Sequence, residues 1–357
     1  MKSIDEAKQS NYRYLPPKNE LYSPDLPIIT IIIDCYYKLD LVKQSVQSIL
    51  NQDYHNVELL LIDNGAEDLV SDYIRQVYEK DKNIALIKFK VNQFSWEDVP
   101  KVVTVCWNSG VLHSRGDIIG HLSYDDMLSL NCVDRMAKLF IENDKCVTAA
   151  PLPVSIDING NVNAHLDFSK SNSRPRYIDG KELALNLIEG NKRSLFSAPG
   201  GVLFIRKDII IETGGFDRAA DTTQLVKFAV NGDSGFDPQA RLFWRHHGDQ
   251  LNKLAKKKGL VECNSLKDVI KNDGVVEIWT KLFTKKQVNS LHKFVKLQSI
   301  NEGITVSTEA LRDKNIIRFF VSLRNVIRKC PATFFHVIFF SFLEIVKMFF
   351  EKISKYR

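Results

Sequence analysis

The chain lacks the markers of several common protein classes. None of its six cysteines (Cys35, Cys106, Cys132, Cys146, Cys263 and Cys330) belongs to a Cys-x-x-Cys pair, so neither a zinc site nor a disulfide framework is indicated. The opening residues, Met1-Lys2-Ser3-Ile4-Asp5-Glu6, are polar and lack the apolar stretch of a secretory signal, so a reducing cytosolic compartment is expected. The apolar stretch near the C-terminus is shorter than the roughly 20 residues needed to span a bilayer. There are no internal repeats and no low-complexity tract.

A hydrophobic content of 44% in 357 residues is enough for a sizeable core, and a charged content of 26% is ordinary for a soluble protein. The length favours one large α/β domain with a helical extension. Net charge is +6, and its location matters more than its size. Residues 312–357 hold ten Lys or Arg against three acids, so the tail carries all of the excess.

The most informative stretch is Ser123-Tyr124-Asp125-Asp126. It follows the apolar run from Ile118 to Leu122, where a buried strand should end. A second such run, Val57 to Ile62, ends in Asp63-Asn64-Gly65. Open α/β sheets bind ligands just beyond the carboxyl ends of their strands, so two acidic strand ends suggest one shared site. Paired carboxylates there suit a hard divalent cation, Mn²⁺ or Mg²⁺, with water and a substrate diphosphate completing its shell. The alternative for Asp126 is a cap on a helix beginning near Leu128.

From Ile28 onward the order is an apolar strand (Ile28 to Ile33), a polar turn (Asp34-Cys35-Tyr36-Tyr37), and a helix with Leu41, Val42, Val46, Ile49 and Leu50 on one face. After the strand ending at Asp63 come Asn108-Ser109-Gly110, Ser114-Arg115-Gly116-Asp117 and the acidic strand end. Pro199-Gly200-Gly201-Val202, Gly214-Gly215-Phe216-Asp217 and Trp244-Arg245-His246-His247 complete the series. Over about residues 28 to 250 this succession resembles the inverting family 2 glycosyltransferases, which have the GT-A fold.

The resemblance implies an α/β fold, a GT-A type nucleotide-binding sheet flanked by helices, with a helical C-terminal extension. It implies attack by an acceptor hydroxyl on the anomeric carbon of a nucleotide sugar, a UDP-sugar being the first expectation. Asp125 matches the last Asp of the family's Asp-x-Asp and is the implied metal ligand; Ser123 stands where the first Asp usually is, which weakens the metal site and leaves Ser123 to meet the ribose, and Tyr124 fills the variable position. Asp63 matches the acid that holds the donor's base or ribose, its alternative being a turn residue. Tyr36 is expected to line the nucleotide pocket; Asp34 and Cys35 depart from the family pattern and receive no role.

Asp221 is the implied general base, with an N-cap as its alternative and Asp217 and Asp233 in reserve. Asp126 is a reserve, supporting the metal ligand or capping a helix. Arg245 is expected to grip phosphate and His247 to complete the metal site, since the segment resembles the family's Arg-x-His. Trp96, Glu97 and Asp98 either shape a pocket or form an exposed loop.

The expected organisation is an extended leader (1–26), the GT-A domain (27–250), a helical extension (251–311) and a basic amphipathic tail (312–357). Lys256-Lys257-Lys258 followed by Gly259 reads as a helix end. The tail run from Phe334 to Leu343, with Ile345, Val346, Met348, Phe349 and Phe350 beyond it, is flanked by basic residues. This suits a helix lying on an anionic membrane surface, the inner face of the cell membrane being expected; the alternative is packing on protein. Nucleic acid is not expected, for want of a binding motif.

Three functions follow from these residues. The first is a metal-dependent transferase adding a sugar to a lipid-linked or surface glycan, and the second a nucleotide-sugar binder with weak turnover. The third is a nucleotidyltransferase, disfavoured because no glycine-rich basic phosphate loop lies near the start.

Overall fold

The computed structural model describes residues 3–18, 22–99, 101–167, 175–188, 202–217, 221–259, 282–329 and 334–354. The chain divides into two compact units. One comprises Met1–His246 with Asn272–Ile278, the other His247–Lys271 with Trp279–Arg357.

The first unit opens with α1 (Ser3–Lys8) and β1 (Tyr12–Leu15), then β2 (Ile29–Cys35), α2 (Leu39–Leu50), β3 (Val57–Asn64), α3 (Asp68–Lys80) and β4 (Ile84–Phe89). A π-helical turn, Val103–Trp107, runs into α4 (Asn108–His113). Next come β5 (Ile118–Ser123), β6 (Met127–Leu128), α5 (Cys132–Glu142), β7 (Cys146–Ile156), β8 (Val162–Asp167) and β9 (Arg176–Asp179). The unit continues with α6 (Gly180–Ile188), β10 (Phe204–Arg206), α7 (Lys207–Glu212), α8 (Asp221–Ala229) and β11 (Asp233–Arg245).

All described strands join one sheet, in the order β1-β4-β3-β2-β5-β10-β7-β11-β6, with β8 on β7 and β9 on β11. Strands β4, β3, β2 and β5 are mutually parallel. Such strands are covered on both faces, which is why they read as continuous apolar runs rather than alternating ones. Every residue of Ile29–Ile33 is buried. On one face, Ile29, Ile31 and Ile33 pack with Leu59 and Leu61 against Val42, Val46 and Ile49 of α2 and Val70 and Ile74 of α3. Glycine allows the crossover after β3: Gly65 has φ +59°, and a Cβ there would sit 2.5 Å from the Asn92 backbone nitrogen.

Two expectations change. The N-terminal segment is not extended throughout, because α1 is helical and β1 forms the sheet edge. The Tyr12 ring lies 5.2 Å from Phe89, and Tyr14 stacks on His113 at 4.1 Å, so aromatic packing on β4 and α4 recruits the strand. The helix expected near Leu128 starts at Cys132. Met127–Leu128 is instead a short strand, antiparallel to Leu242 and Phe243 of β11.

The second unit is helical: α9 (Leu251–Lys257), α10 (Lys285–Arg312), α11 (Ile316–Lys329) and α12 (Phe334–Ser354). A capping box at Thr284 and Gln287 starts α10. After α9, Gly259 adopts φ +70°. Among the described residues, the apolar core of this unit comprises Val306, Leu323, Val326 and Val337, with Ile304, Phe319 and Phe334 against it. Polar groups are buried beside it. The Ser307 and Ser322 hydroxyls meet at 2.9 Å, and Arg318 reaches Asp313 at 2.6 Å and Glu309 at 3.2 Å. Ile316, Ile317 and Phe320 of α11 and Phe335, Phe339 and Phe342 of α12 are exposed. No helix among the described residues is long and apolar enough to cross a membrane.

Candidate functional site

Three neighbouring parallel strands end together. Cys35 of β2 is in register with Asp63 of β3, and Asp34 is in register with Ser123 of β5. Asp34, Asp63 and Ser123 therefore share the carboxyl edge of the sheet, with β2 in the middle. Asp125 and Asp126 follow directly after β5, so the two acidic strand ends lie at one edge.

The turn after β5 is fixed from far along the chain. The Arg245 backbone N–H donates to Asp126 Oδ1 at 2.8 Å, and its Nε donates to the Asp125 carbonyl at 2.7 Å. The rest of the guanidinium is committed as well, Nη1 donating to the Ile158 carbonyl and Nη2 to Gln44 Oε1, both at 2.8 Å. Arg245 has no exposed surface. It does not offer its fork to a phosphate, as expected from sequence, because protein acceptors take it up; it is a clamp on the acidic turn. Nor does Asp126 cap a helix, since its carboxylate receives that N–H. Burial and the adjacent Asp125 push the Asp126 carboxyl well above the usual range, against the pull of Arg245.

Asp63 is buried and locally occupied. Its Oδ1 accepts from the Ala66 N–H at 2.9 Å, and its Oδ2 accepts from Ser71 Oγ at 2.5 Å and lies 3.2 Å from Lys88 Nζ. These bonds tie the end of β3 to the start of α3, as a strand-end turn residue does. Near Asp125, the Tyr37 ring lies 5.3 Å from Tyr36 and 5.1 Å from Tyr124, so three tyrosines form a step. Tyr36 is exposed. Burial and the neighbouring Asp125 raise the Tyr124 hydroxyl well above its ordinary value. Ser123 closes β5, and its carbonyl accepts from Ser45 Oγ at 3.2 Å.

A further pair at this edge has no counterpart in the motif reading. His121 Nε2 lies 3.0 Å from Asp34 Oδ1, and the imidazole is packed against Trp107 with ring centroids 3.4 Å apart. Desolvation lowers the His121 pKa below its ordinary 6.5 despite the opposing pull of Asp34, so the ring is neutral near pH 7 and Nε2–H donates to the carboxylate. The two residues are 87 positions apart and meet only through the β2–β5 register.

With the edge described, the likenesses to known proteins take on meaning. Residues 30–196 match the family model described as "Glycosyl transferase family 2". This segment carries the glycosyltransferase family 2 pattern. A glycosyltransferase of Haemophilus influenzae, called uncharacterized, is 29% identical over 124 residues, which are 35% of this chain and 46% of that protein. The chondroitin synthase of Pasteurella multocida is 24% identical over 143 residues, 40% of this chain and 14% of the synthase. The chain thus spans less than half the length of these relatives. S. aureus TarS 1-349, solved in complex with UDP-GlcNAc, superposes with a TM-score of 0.52 at 12% identity, covering 83% of this chain and 90% of that one. The sheet and its flanking helices are of GT-A type, with a helical C-terminal region.

Of the other residues suggested by the glycosyltransferase pattern, Asp217 is buried. Its Oδ2 lies 3.2 Å from Lys227 Nζ, and its backbone N–H and carbonyl bond the Gln224 side chain. Lys227 also donates to the Gly215 carbonyl. Asp217 is thus held in an ion pair rather than presented as a base. Asp233 accepts from Asn143 Nδ2 at 2.9 Å and starts β11. Asp221 opens α8, its side chain lying outside the described residues, as do Pro199, Gly200 and Gly201. His247 belongs to the second unit, where its Nδ1 accepts from the Asp249 N–H at 3.3 Å. Trp96 packs edge-on against Phe94, and Glu97 accepts from Ser95. Among the described residues, no group of three or more His, Cys, Asp or Glu is arranged to hold a metal.

Proposed function

We propose that the chain is an inverting glycosyltransferase that moves a sugar from a nucleotide-sugar donor, a UDP-sugar first, to a hydroxyl of a lipid-linked or surface glycan. The observation that carries this reading is the meeting of Asp34, Asp63, Ser123 and the Asp125-Asp126 turn at the carboxyl edge of parallel strands within a family 2 segment. In such sheets this edge is where ligands bind. The donor's nucleoside lies along the edge beside Tyr36 and Tyr124, and its diphosphate lies at Asp125.

The residues at the turn fit a hard divalent ion, Mn²⁺ or Mg²⁺. Asp125 offers oxygen ligands beside a second carboxyl whose protonation is already favoured by burial and by the Asp125 charge, and added positive charge would relieve that crowding. Mg²⁺ commonly takes only one or two protein carboxylates, the rest of its shell being water and phosphate. When bound, the ion would neutralise charge developing on the leaving diphosphate.

The chain's own work in the transfer is positional and basic. The Arg245 clamp holds the Asp125 backbone in place. Asp221, at the start of α8, accepts the proton of the attacking hydroxyl. The new glycosidic bond forms at the anomeric carbon as its bond to the diphosphate oxygen breaks, and the nucleoside diphosphate departs.

The second unit supports a peripheral membrane site for this transfer. Besides its apolar core, it carries exposed isoleucines and phenylalanines on α11 and α12, more apolar surface than a helix pair in water needs. With ten basic residues in 312–357, this suits an anionic lipid surface on the cytoplasmic side.

The test is donor hydrolysis and transfer with a panel of nucleotide sugars, with Mn²⁺ and with chelator, for wild type and Asp125→Asn. Nucleoside diphosphate release by wild type, reduced at least a hundredfold in Asp125→Asn, is expected. Binding of a nucleotide sugar with no release under any acceptor condition would replace the transferase reading with that of a binder. Pyrophosphate release would replace it with a nucleotidyltransferase.

A further inference from the structure

Asp34 stands out among the carboxylates of the sheet edge. Asp63 spends both oxygens on Ala66, Ser71 and Lys88, and Ser123 has only a hydroxyl to offer. Asp34 lies between them on the middle strand and uses Oδ1 to accept from His121 Nε2 at 3.0 Å. Its Oδ2 has no hydrogen-bond partner among the described residues, and its side chain is 20% exposed.

The partner is expensive to place there. His121 is 2% exposed, and its Nδ1 has no hydrogen-bond partner among the described residues; nor does Nε1 of Trp107, which lies against it. Leaving buried polar atoms unpaired costs stability. The one hydrogen bond that the imidazole makes is spent on fixing the rotamer of a carboxylate at the surface. A role confined to packing would be met by an apolar ring, without the two orphaned nitrogens.

Position says what the free oxygen meets. Neighbouring strands are about 4.8 Å apart, and Asp34 is in direct register with Ser123, two residues before Asp125. On the reading given above, with the diphosphate at Asp125, the nucleoside runs from β5 toward β2 and β3. The first group beyond the phosphates is the ribose, whose hydroxyls are hydrogen-bond donors, and a carboxylate is an acceptor with no proton of its own to offer.

We infer that Asp34 binds the donor's ribose, accepting a hydrogen bond from its 2′-hydroxyl, and that His121 is the positioning residue that holds Asp34 for this contact. The carboxylate absent at Ser123 is supplied from the adjacent strand. The inference rests on the nucleotide-sugar reading and adds a ribose subsite built from β2 and β5.

The experiment measures binding of UDP, GDP, CDP, ADP and dTDP to the full chain by calorimetry, and then compares the ribonucleotide that binds with its 2′-deoxy analogue. Wild type is expected to prefer the ribonucleotide by about ten- to a hundredfold, the range commanded by a hydrogen bond to a charged group. Asp34→Ala, which removes the acceptor, should bind both forms with nearly equal affinity, at the level of wild type with the deoxy analogue. His121→Phe keeps a ring against Trp107 and should lose most of the preference while still binding the deoxy analogue. Damage to folding would weaken both nucleotides together, so the ratio separates recognition from structure. Equal preference in wild type and Asp34→Ala, or binding of dTDP alone, overturns the ribose assignment and leaves the transferase reading standing. Failure of wild type to bind any nucleotide overturns both.

Discussion

Replacing Arg245 with Met should destabilise the first unit, and the size of the loss follows from where its acceptors lie. The side chain gives up hydrogen bonds to the Asp125, Asp157 and Ile158 carbonyls and to Gln44 Oε1. Gln44 and Ile158 are exposed, so water replaces the lost donor at both, and neither contributes much. The Asp125 carbonyl belongs to a buried residue, 8% exposed, and stranding a buried acceptor costs about 1–3 kcal/mol. Removing the positive charge beside two buried carboxyls adds to that, giving a total of about 2–4 kcal/mol. For a unit of this size each kcal/mol shifts the melting temperature by about 2–4 °C, so a fall of about 5–15 °C is expected in a thermal melt. Arg245→Lys should fall nearly as far, because a single ammonium cannot replace a planar fork that serves several separate acceptors. If Arg245 served phosphate instead, the melt of the ligand-free protein would be unchanged and only nucleotide affinity would drop. A shift of less than about 2 °C for Arg245→Met would refute the clamp.

Three other outcomes are expected. Asp63→Ala removes three local partners and should cost about 1–3 kcal/mol in urea unfolding, whether or not nucleotide is present. Lys227→Met leaves the buried Asp217 carboxylate without its cation and should cost about 3–5 kcal/mol, while adding Asp217→Leu should recover much of it; equal stability of the two variants would deny the pair any weight. His121 is buried with its pKa below the ordinary 6.5, so the unfolded chain takes up a proton that the native state refuses. Its contribution to stability is therefore complete above about pH 6.5 and is lost as pH falls through the depressed native value. His121→Phe should flatten the loss of stability between pH 6.5 and 5, leaving the part due to His113, whose pKa burial and Lys207 also lower.

Much of the fold was legible because burial writes itself plainly on parallel strands. Ile29–Cys35, Val57–Asn64 and Ile118–Ser123 are each largely apolar, with a polar residue at or near the end, and the edge they share followed from that. Leu41, Val42, Val46 and Ile49 marked α2 by helical spacing, and all four are buried. What escaped depends on partners distant in the chain. Tyr12–Leu15 is four residues of no special pattern until β4 lies beside it, and Met127–Leu128 becomes a strand only against β11. Arg245 looked like a phosphate ligand because a motif shows a guanidinium but not Gln44, 201 positions away, that occupies it. Asp34 looked like a mere departure from a family pattern and His121 drew no notice inside its strand for the same reason; register, which no local window contains, makes them a pair.

The fastening of the Asp125-Asp126 turn by Arg245 also sets an order of events during synthesis. A growing chain that has emerged only as far as α5 already holds β2 to β5, with their local crossovers, yet its acidic turn lacks the residue that gives it shape. That residue leaves the ribosome some 120 positions later, as the last of β11. The edge formed by β2, β3 and β5 is thus made first and completed last, and a product released early would lack the residue that fastens its acidic turn.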